Sequence, residues 1–167
     1  MRVRRISDEA QRDTWRLGAD RWVSSIGAHA LAGGRAVVIA NVRTALTIDA
    51  VTAGGRHRGG AIIPGPKVMM ESLLSGTHGI RRRAQGGDAS ARSMFATDTA
   101  SALAAGSQFA AASFIDRAVA EAAQAFRSRP VLFLTGGAAP TLARHLVTRA
   151  REVPDLVLQG LAVFAKA

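Results

Sequence analysis

Two short apolar runs, far apart in the chain, constrain the fold most strongly. They are AVVIA at 36–40 and VLFLT at 131–135. Short runs with β-branched and aromatic residues favour buried strands, because helices need longer periodic segments. Between them, residues 99–127 carry apolar side chains at helical spacing, and Thr97 or Asp98 is placed to cap that helix. Strands separated by a long helix predict an α/β fold.

A β-hairpin is predicted after the first strand. The segment TALTIDAV at 44–51 has the composition of a second strand, and a third strand is expected over 58–63. Gly54 and Gly55 lie between these two segments and suit a tight turn. Pro64 is expected to end the third strand.

Helical spacing predicts further helices at 20–32, 67–75, 140–151 and 156–165, and a weak one at 8–16. In the first of these, Trp22, Val23, Ile26 and Ala30 are expected to form the apolar face. Residues 76–96 are rich in Gly, Arg and Ser, which predicts a mobile surface loop. Gly136 and Gly137 are expected to turn the chain from the last strand into a helix.

Composition excludes several classes of protein. Hydrophobic residues make up 48% of the chain, which indicates a packed core. No apolar run is long enough for a membrane span, and the basic N-terminus is not followed by the apolar region of a secretory signal. The absence of cysteine excludes disulfides and thiolate chemistry. These features favour a cytoplasmic location.

The net charge of +10 is carried mainly by scattered arginines, and Arg81, Arg82 and Arg83 form the one tight run. A solvated basic surface explains this pattern. Nucleic-acid binding is the alternative, but no aromatic residues interleave with the basic ones as a base-stacking surface would require. Nucleic acid is therefore not an expected partner.

Other polar residues have structural interpretations. The histidines at 29, 57, 78 and 145 lack the short spacing of metal ligands, so no metal site is expected and surface or hairpin positions are favoured. Asp49 lies within an apolar strand, where a capped or paired structural carboxylate is the simplest interpretation.

Several short motifs occur in an order that carries more information than any one of them. They are LGADRW at 17–22, TALTIDAV at 44–51, GGAIIPG at 59–65, MMESLL at 69–74 with Thr77, Asp98-Thr99, LTGG at 134–137 and PDLVLQGL at 154–161. Together they resemble the type III pantothenate kinases, which belong to the actin-like ATPase superfamily and phosphorylate pantothenate in the first step of coenzyme A biosynthesis. The resemblance implies a ribonuclease H-like fold, mainly the C-terminal half of such a kinase.

The resemblance also implies roles for residues on the pantothenate side. Asp20 corresponds to the catalytic carboxylate that takes the proton of the pantothenate hydroxyl. Arg21 would bind the pantothenate carboxylate, and Gly18 would let the backbone approach the substrate. Thr99 resembles a threonine that reaches pantothenate from the other subunit, so a homodimer is expected.

On the nucleotide side, the resemblance implies that Thr44, Gly136 and Gly137 contact ATP, with Mg²⁺ and a monovalent cation as cofactors. Two departures bear on this site. Nothing like the family's D-x-G-N-T strand precedes Leu17, so residues 1–16 are interpreted as an extension or remnant and 17–167 as the kinase-like domain. Asn41 and Arg43 stand where the family has the carboxylate of its cation site and a glycine.

These departures leave three hypotheses. The first is a working kinase, either alone or with a partner chain that supplies the missing half. The second is a non-catalytic relative that keeps the pantothenate pocket or only the dimer fold. The third is a basic regulatory protein that binds nucleic acid, an accessory factor as the resemblance allows. Because phosphoryl transfer depends on positioning and charge neutralisation, loss of the phosphate-binding strand is expected to remove activity from the chain alone.

Overall fold

The computed structural model describes residues 17–90 and 93–165, so the predictions for residues 1–16 lie outside the described residues. The elements are α1 (Ala19–Leu31), β1 (Val37–Val42), β2 (Ala45–Val51), β3 (His57–Pro64), α2 (Pro66–Gly76), α3 (His78–Ala84), α4 (Thr99–Phe126), β4 (Val131–Thr135), α5 (Ala139–Ala143), β5 (Ala150–Glu152) and α6 (Leu156–Phe164).

The strands form one mixed sheet in the order β3-β2-β1-β4-β5. β1 pairs antiparallel with β2, and β2 pairs antiparallel with β3. β4 runs parallel to both β1 and β5. The predicted α/β class and the four predicted strands are confirmed. The short β5 was not predicted as a strand.

The β2–β3 turn forms at the predicted glycine pair. The Thr52 N–H donates to the Arg56 carbonyl at 2.9 Å, and the Gly55 N–H donates to the Thr52 carbonyl at 2.9 Å. Gly55 has φ of 81°, in the left-handed region that favours glycine. The turn therefore fixes the hairpin register locally.

Alternation along the strands divides the sheet into two unlike faces. One face is apolar and packs against α4 and α5 through Val38, Ala40, Val42, Leu46, Ile48, Leu132 and Leu134. The opposite face packs against α1 and α6 through Val37, Ile39, Val51 and Phe133. This second face also carries the polar side chains of Asn41, Thr47, Asp49 and Thr135, which share its alternation.

Helix α1 packs closely on α6 because each helix presents a glycine at the crossing. A Cβ built on Gly27 would lie 2.7 Å from the Leu156 carbonyl oxygen, and one on Gly160 would lie 2.0 Å from the Val23 carbonyl oxygen. The predicted apolar face of α1 is wrong. Its buried residues are Ser24, Ser25, Gly27, Ala28 and His29, while Ala30 is exposed. Close helix packing selects small residues here rather than large apolar ones.

Helix α4 lies across the apolar face of the sheet, as predicted. The Asp98 carboxylate caps its N-terminus by accepting the Ser101 N–H at 3.0 Å. The donated N–H lowers the pKa of Asp98 below its usual value. The helix ends at Phe126 and is followed by Arg127, whose φ of 48° lies in the left-handed region.

Two predicted segments differ from the structure. The helix expected at 140–151 stops at Ala143, because the Asp116 carboxylate on α4 accepts the N–H groups of Val147 and Thr148 and holds that segment in another conformation. The mobile loop expected at 76–96 contains α3, whose Arg81 donates to the Leu74 carbonyl at 2.7 Å and so ties α3 to the end of α2.

Candidate functional site

The first turn of α1 brings the predicted catalytic residue to the surface. Gly18 precedes the helix, and its carbonyl accepts the Arg21 N–H at 2.9 Å and the Trp22 N–H at 3.2 Å. Asp20 is exposed in this turn, where the positive end of the helix dipole favours a carboxylate. A Cβ on Gly18 would meet no atom within 4 Å, so the space beside it is open.

Arg21 turns from the same helical turn toward the sheet and pairs with Asp49 on β2. Its Nε donates to Asp49 Oδ2 at 2.9 Å, and its Nη2 donates to Asp49 Oδ1 at 2.7 Å. The Arg21 side chain is 19% exposed, whereas that of Asp49 is 3% exposed. This is the two-pronged geometry that makes arginine–carboxylate pairs specific.

His57 on β3 completes this cluster from the other side. Its Nε2 lies 2.9 Å from Asp49 Oδ1, and its ring is fully buried. The expectation of surface or hairpin histidines is confirmed for His57, which lies in the β2–β3 hairpin although its ring is buried. It is wrong for His29, which lies in α1. The His29 ring is also buried, with Nε2 3.1 Å from the Ala53 carbonyl oxygen.

Thr99 lies away from Asp20 and Arg21. It begins α4 on the apolar side of the sheet, whereas Arg21 packs on the side of α1. Thr99 lines a groove of about 390 Å³ between α2, α3 and α4, together with Met69, Leu73, Ile80, Leu103 and Gly106. Within one chain, the structure therefore brings Gly18, Asp20 and Arg21 together and leaves Thr99 on the opposite face.

The predicted nucleotide residues meet at the edge where β1 and β4 end. After β4, Gly136 adopts φ of 97°, and the Ala138 N–H donates to the Val42 carbonyl at 3.2 Å. A Cβ on Gly136 would lie 2.3 Å from that carbonyl oxygen, so only glycine fits. Thr44 lies in the adjoining β1–β2 turn and is exposed.

Asn41 sits at this same edge with an unusual environment. It pairs in register with Thr47 on one side and Thr135 on the other. Its Oδ1 is buried and has no hydrogen-bond partner among the described residues. Thr135 differs, because its hydroxyl donates to the Pro154 carbonyl at 3.3 Å. This edge of the sheet is therefore polar, but one of its buried oxygen atoms, Asn41 Oδ1, lacks a hydrogen bond to any described residue.

Comparison with known proteins decides the family. The family model described as type III pantothenate kinase matches residues 8–121. The chain belongs to the type III pantothenate kinase family. Type III pantothenate kinases of Azoarcus sp. (strain BH72) and Burkholderia thailandensis are each 40% identical to it, over 151 and 161 residues.

The chain spans only part of the length of these two kinases. The matched regions include 90% of the chain but 54% of the Azoarcus kinase and 61% of the Burkholderia kinase. A solved structure of a Baf-family protein from Campylobacter jejuni aligns with a TM-score of 0.63 at 24% identity, covering 92% of this chain and 66% of that one. That likeness shows a shared fold.

The described residues are a poor fit for the cation cofactors that the sequence resemblance implies. No group of three or more His, Asp or Glu side chains within 17–90 and 93–165 is placed to hold a metal ion. At the nucleotide edge, Asn41 offers a neutral oxygen, and Arg43 is exposed beside it. Divalent cations bound with phosphates take carboxylate ligands. The edge therefore has the glycine turn expected at a phosphate-binding edge, but Asn41 and Arg43 add no negative charge to it.

Reasoning from the sequence missed the contact between His57 and Asp49. The sequence offered one signal, a carboxylate in an apolar strand followed by a histidine in the next strand. The hairpin register, which pairs Asp49 with Gly60 and Val51 with His57, brings these two side chains together. The interpretation of Asp49 as a paired structural carboxylate is confirmed.

In the part of the chain that the structure describes, no helix has the length and apolar character to cross a membrane.

Proposed function

We propose that this chain carries the pantothenate-binding region of a type III pantothenate kinase. The observation that carries this proposal is the α1 turn, where the exposed Asp20 stands beside an Arg21 that Asp49 fixes in place. Arg21 would bind the substrate carboxylate with the part of its guanidinium that Asp49 does not occupy. Asp20 would accept the hydroxyl proton, and Gly18 would leave room for the substrate.

Phosphoryl transfer from ATP needs more than the described residues supply. Thr44, Gly136 and Gly137 are assigned to the nucleotide, as their common edge supports. The neutral Asn41 and the exposed Arg43 do not provide the negative charge that Mg²⁺ or a monovalent cation requires. We therefore assign substrate recognition to this chain, and the kinase step to further residues. Family membership also implies that the ATP comes from the cytoplasm.

The fold is assigned to the ribonuclease H-like group of the actin-like ATPase superfamily, supported by the mixed sheet with helices on both faces. The likeness to the Campylobacter protein concerns the fold alone and supports no regulatory role.

A homodimer is part of the proposal because Thr99 and Arg21 lie on opposite faces of one chain. The apolar groove beside Thr99 would pack against a second copy, bringing Thr99 of one subunit to Arg21 of the other. Mixing folded Arg21→Ala and Thr99→Ala proteins tests this arrangement. A dimer has two shared sites, and a mixed dimer keeps one of them intact. If half of the dimers are mixed, about a quarter of all sites should bind pantothenate again. No recovery after subunit exchange contradicts the shared site.

Calorimetric titration with pantothenate tests the binding function itself. Arg21→Ala is expected to weaken binding by about tenfold or more, as loss of a charge-assisted hydrogen bond predicts. Asp20→Asn should weaken it less, because Asp20 orients the hydroxyl. Arg58→Ala removes an exposed arginine from β3 and is the matched control, with unchanged binding expected.

Circular dichroism must accompany the titration, because Arg21→Ala also removes a partner of the buried Asp49. Arg21→Lys keeps the charge but not the two-pronged geometry, and should recover only part of the affinity. No binding of millimolar pantothenate by the folded wild-type chain would refute the proposed function.

A further inference from the structure

Asp49 is surrounded by donors from two different elements. Oδ2 accepts from Arg21 Nε, and Oδ1 lies within hydrogen-bond distance of both Arg21 Nη2 and His57 Nε2. Since both oxygens are engaged and the side chain is 3% exposed, the carboxylate has little freedom to rotate. The orientation of Asp49 therefore sets the orientation of the Arg21 guanidinium.

The hydrogen bonds of His57 indicate which ring nitrogen carries the proton. The Gly59 N–H donates to His57 Nδ1 at 3.3 Å, so Nδ1 is the acceptor nitrogen. The ring proton then lies on Nε2 and is donated to Asp49 Oδ1. In this tautomer the imidazole orients the carboxylate through a hydrogen bond that does not involve Arg21.

Gly60 provides the space in which the guanidinium lies. A Cβ at this position would be 2.7 Å from Arg21 Nη2, 2.8 Å from Asp49 Oδ1 and 1.9 Å from the Ile48 carbonyl oxygen. Any side chain here would displace Arg21 or the strand. The glycine pair at 59–60 therefore serves both His57, through the Gly59 N–H, and Arg21, through the missing Cβ.

The cluster leaves one part of Arg21 unused. Nε and Nη2 are engaged, while Nη1 makes no hydrogen bond within the described residues, and the side chain remains 19% exposed. Asp49 and His57 do not share this access, since their side chains are 3% and 0% exposed. Of the three side chains, Arg21 is thus the one that a ligand reaches.

We propose that Asp49 and His57 are positioning residues that hold the Arg21 guanidinium in a fixed orientation to receive a carboxylate ligand. This inference rests on the proposed function, in which that ligand is pantothenate. Fixing the arginine before binding reduces the side-chain entropy that the complex loses. The same pair also predicts selectivity for a carboxylate over a neutral group at that end of the substrate.

Positioning and simple electrostatics predict opposite effects of an Asp49 replacement on pantothenate affinity, which makes the inference testable. Asp49 is negative, so if it acted only through its charge, replacing it with Asn would strengthen binding of an anion. If it positions Arg21, the same replacement weakens binding. The sign of the change for Asp49→Asn therefore separates positioning from simple charge compensation.

The experiment compares pantothenate with its analogue in which a primary amide replaces the carboxylate, using calorimetry on folded wild-type and variant chains. The wild type should prefer pantothenate by about tenfold or more, as expected for a charge-assisted contact. Asp49→Asn and His57→Ala should each reduce that preference about fivefold or more, mainly by weakening pantothenate binding. His57→Gln retains an N–H donor near the position of Nε2 and should restore most of the preference.

A purely structural cluster would change the unfolding temperature without changing the preference between the two ligands. Unchanged preference in folded His57→Ala, or tighter pantothenate binding by Asp49→Asn, overturns the inference while leaving the proposed function intact. Absence of pantothenate binding by the wild type overturns both. Nitrogen-15 NMR of the wild-type imidazole needs no variant, and a proton on Nδ1 of His57 also contradicts the inference.

Discussion

The Arg21 cluster and the nucleotide edge lie on the same face of the sheet but differ in how completely their polar groups are satisfied. At the cluster, both oxygens of Asp49 are bound by Arg21 and His57. At the edge, Asn41 Oδ1 is buried without a partner among the described residues, and Arg43 extends into solvent. Because satisfied polar networks are rigid, the comparison indicates that the proposed substrate side is formed in advance and the proposed nucleotide side is incomplete.

The largest expected effect concerns catalysis. The purified chain should show no ATP-dependent phosphorylation of pantothenate, because no group of three or more His, Asp or Glu side chains among the described residues is placed to hold a metal ion. A coupled assay measures this, with the Burkholderia thailandensis kinase as the active control. If the chain phosphorylates pantothenate and Asp20→Asn abolishes that activity, the proposed nucleotide side must be complete. That result would contradict the difference drawn between the two regions.

The next effect concerns stability at the satisfied cluster. Asp49→Asn should lower the free energy of unfolding by about 2–3 kcal/mol, somewhat less than for a fully buried ion pair because Arg21 keeps some solvent. Urea unfolding measures the change. Glu121→Gln breaks the exposed Arg117–Glu121 pair and is the matched control, with a change below about 0.5 kcal/mol expected. Equal effects at the two sites would contradict the importance assigned to the buried cluster.

The unsatisfied edge should respond in the opposite direction. Asn41→Val removes an unpartnered buried oxygen and places a β-branched residue in a strand, so stability should stay the same or rise by up to about 1 kcal/mol. The same urea titration applies. A loss above about 1 kcal/mol would mean that Asn41 has a partner such as ordered water, and the contrast between the two regions would weaken.

The smallest effect lies outside both regions and serves as a reference. Because hydrogen bonding from Ser101 lowers the pKa of Asp98, the ionised carboxylate stabilises α4 at neutral pH, and this contribution is lost as pH falls through the lowered pKa. Asp98→Asn keeps a capping oxygen but not the charge. The difference in unfolding temperature between wild type and Asp98→Asn should be present at neutral pH and shrink in acid. A difference that is independent of pH would contradict the capping account.

Local sequence signals predicted much of the fold correctly. The strands at 36–41, 45–51, 58–63 and 131–135 and the helix at 99–127 follow from short apolar runs, a glycine turn and a capping residue, all of which act over a few residues. The errors came from distant partners. Asp116 on α4 ends the helix expected at 140–151, and α6 determines which face of α1 is buried.

The candidate site was predicted in part. Ordered motifs singled out Gly18, Asp20 and Arg21 as candidates, and the structure places them together at the start of α1. His57 was missed because its role depends on hairpin register and on the Gly59 N–H, neither of which a lone histidine reveals. Placement of Thr99 on the opposite face also required the fold, since alternation along the strands decides which face each helix covers.

The central claim is that pantothenate binds at the first turn of α1, and two-dimensional ¹H–¹⁵N NMR of the chain during a pantothenate titration tests it most directly. The account predicts shifts concentrated at the backbone of Gly18, Asp20 and Arg21 and at the Arg21 Nε–H, with smaller shifts at Asp49 and His57. The Gly136–Gly137 turn should not change. Shifts centred on that turn, or no shifts at millimolar pantothenate, would contradict the claim.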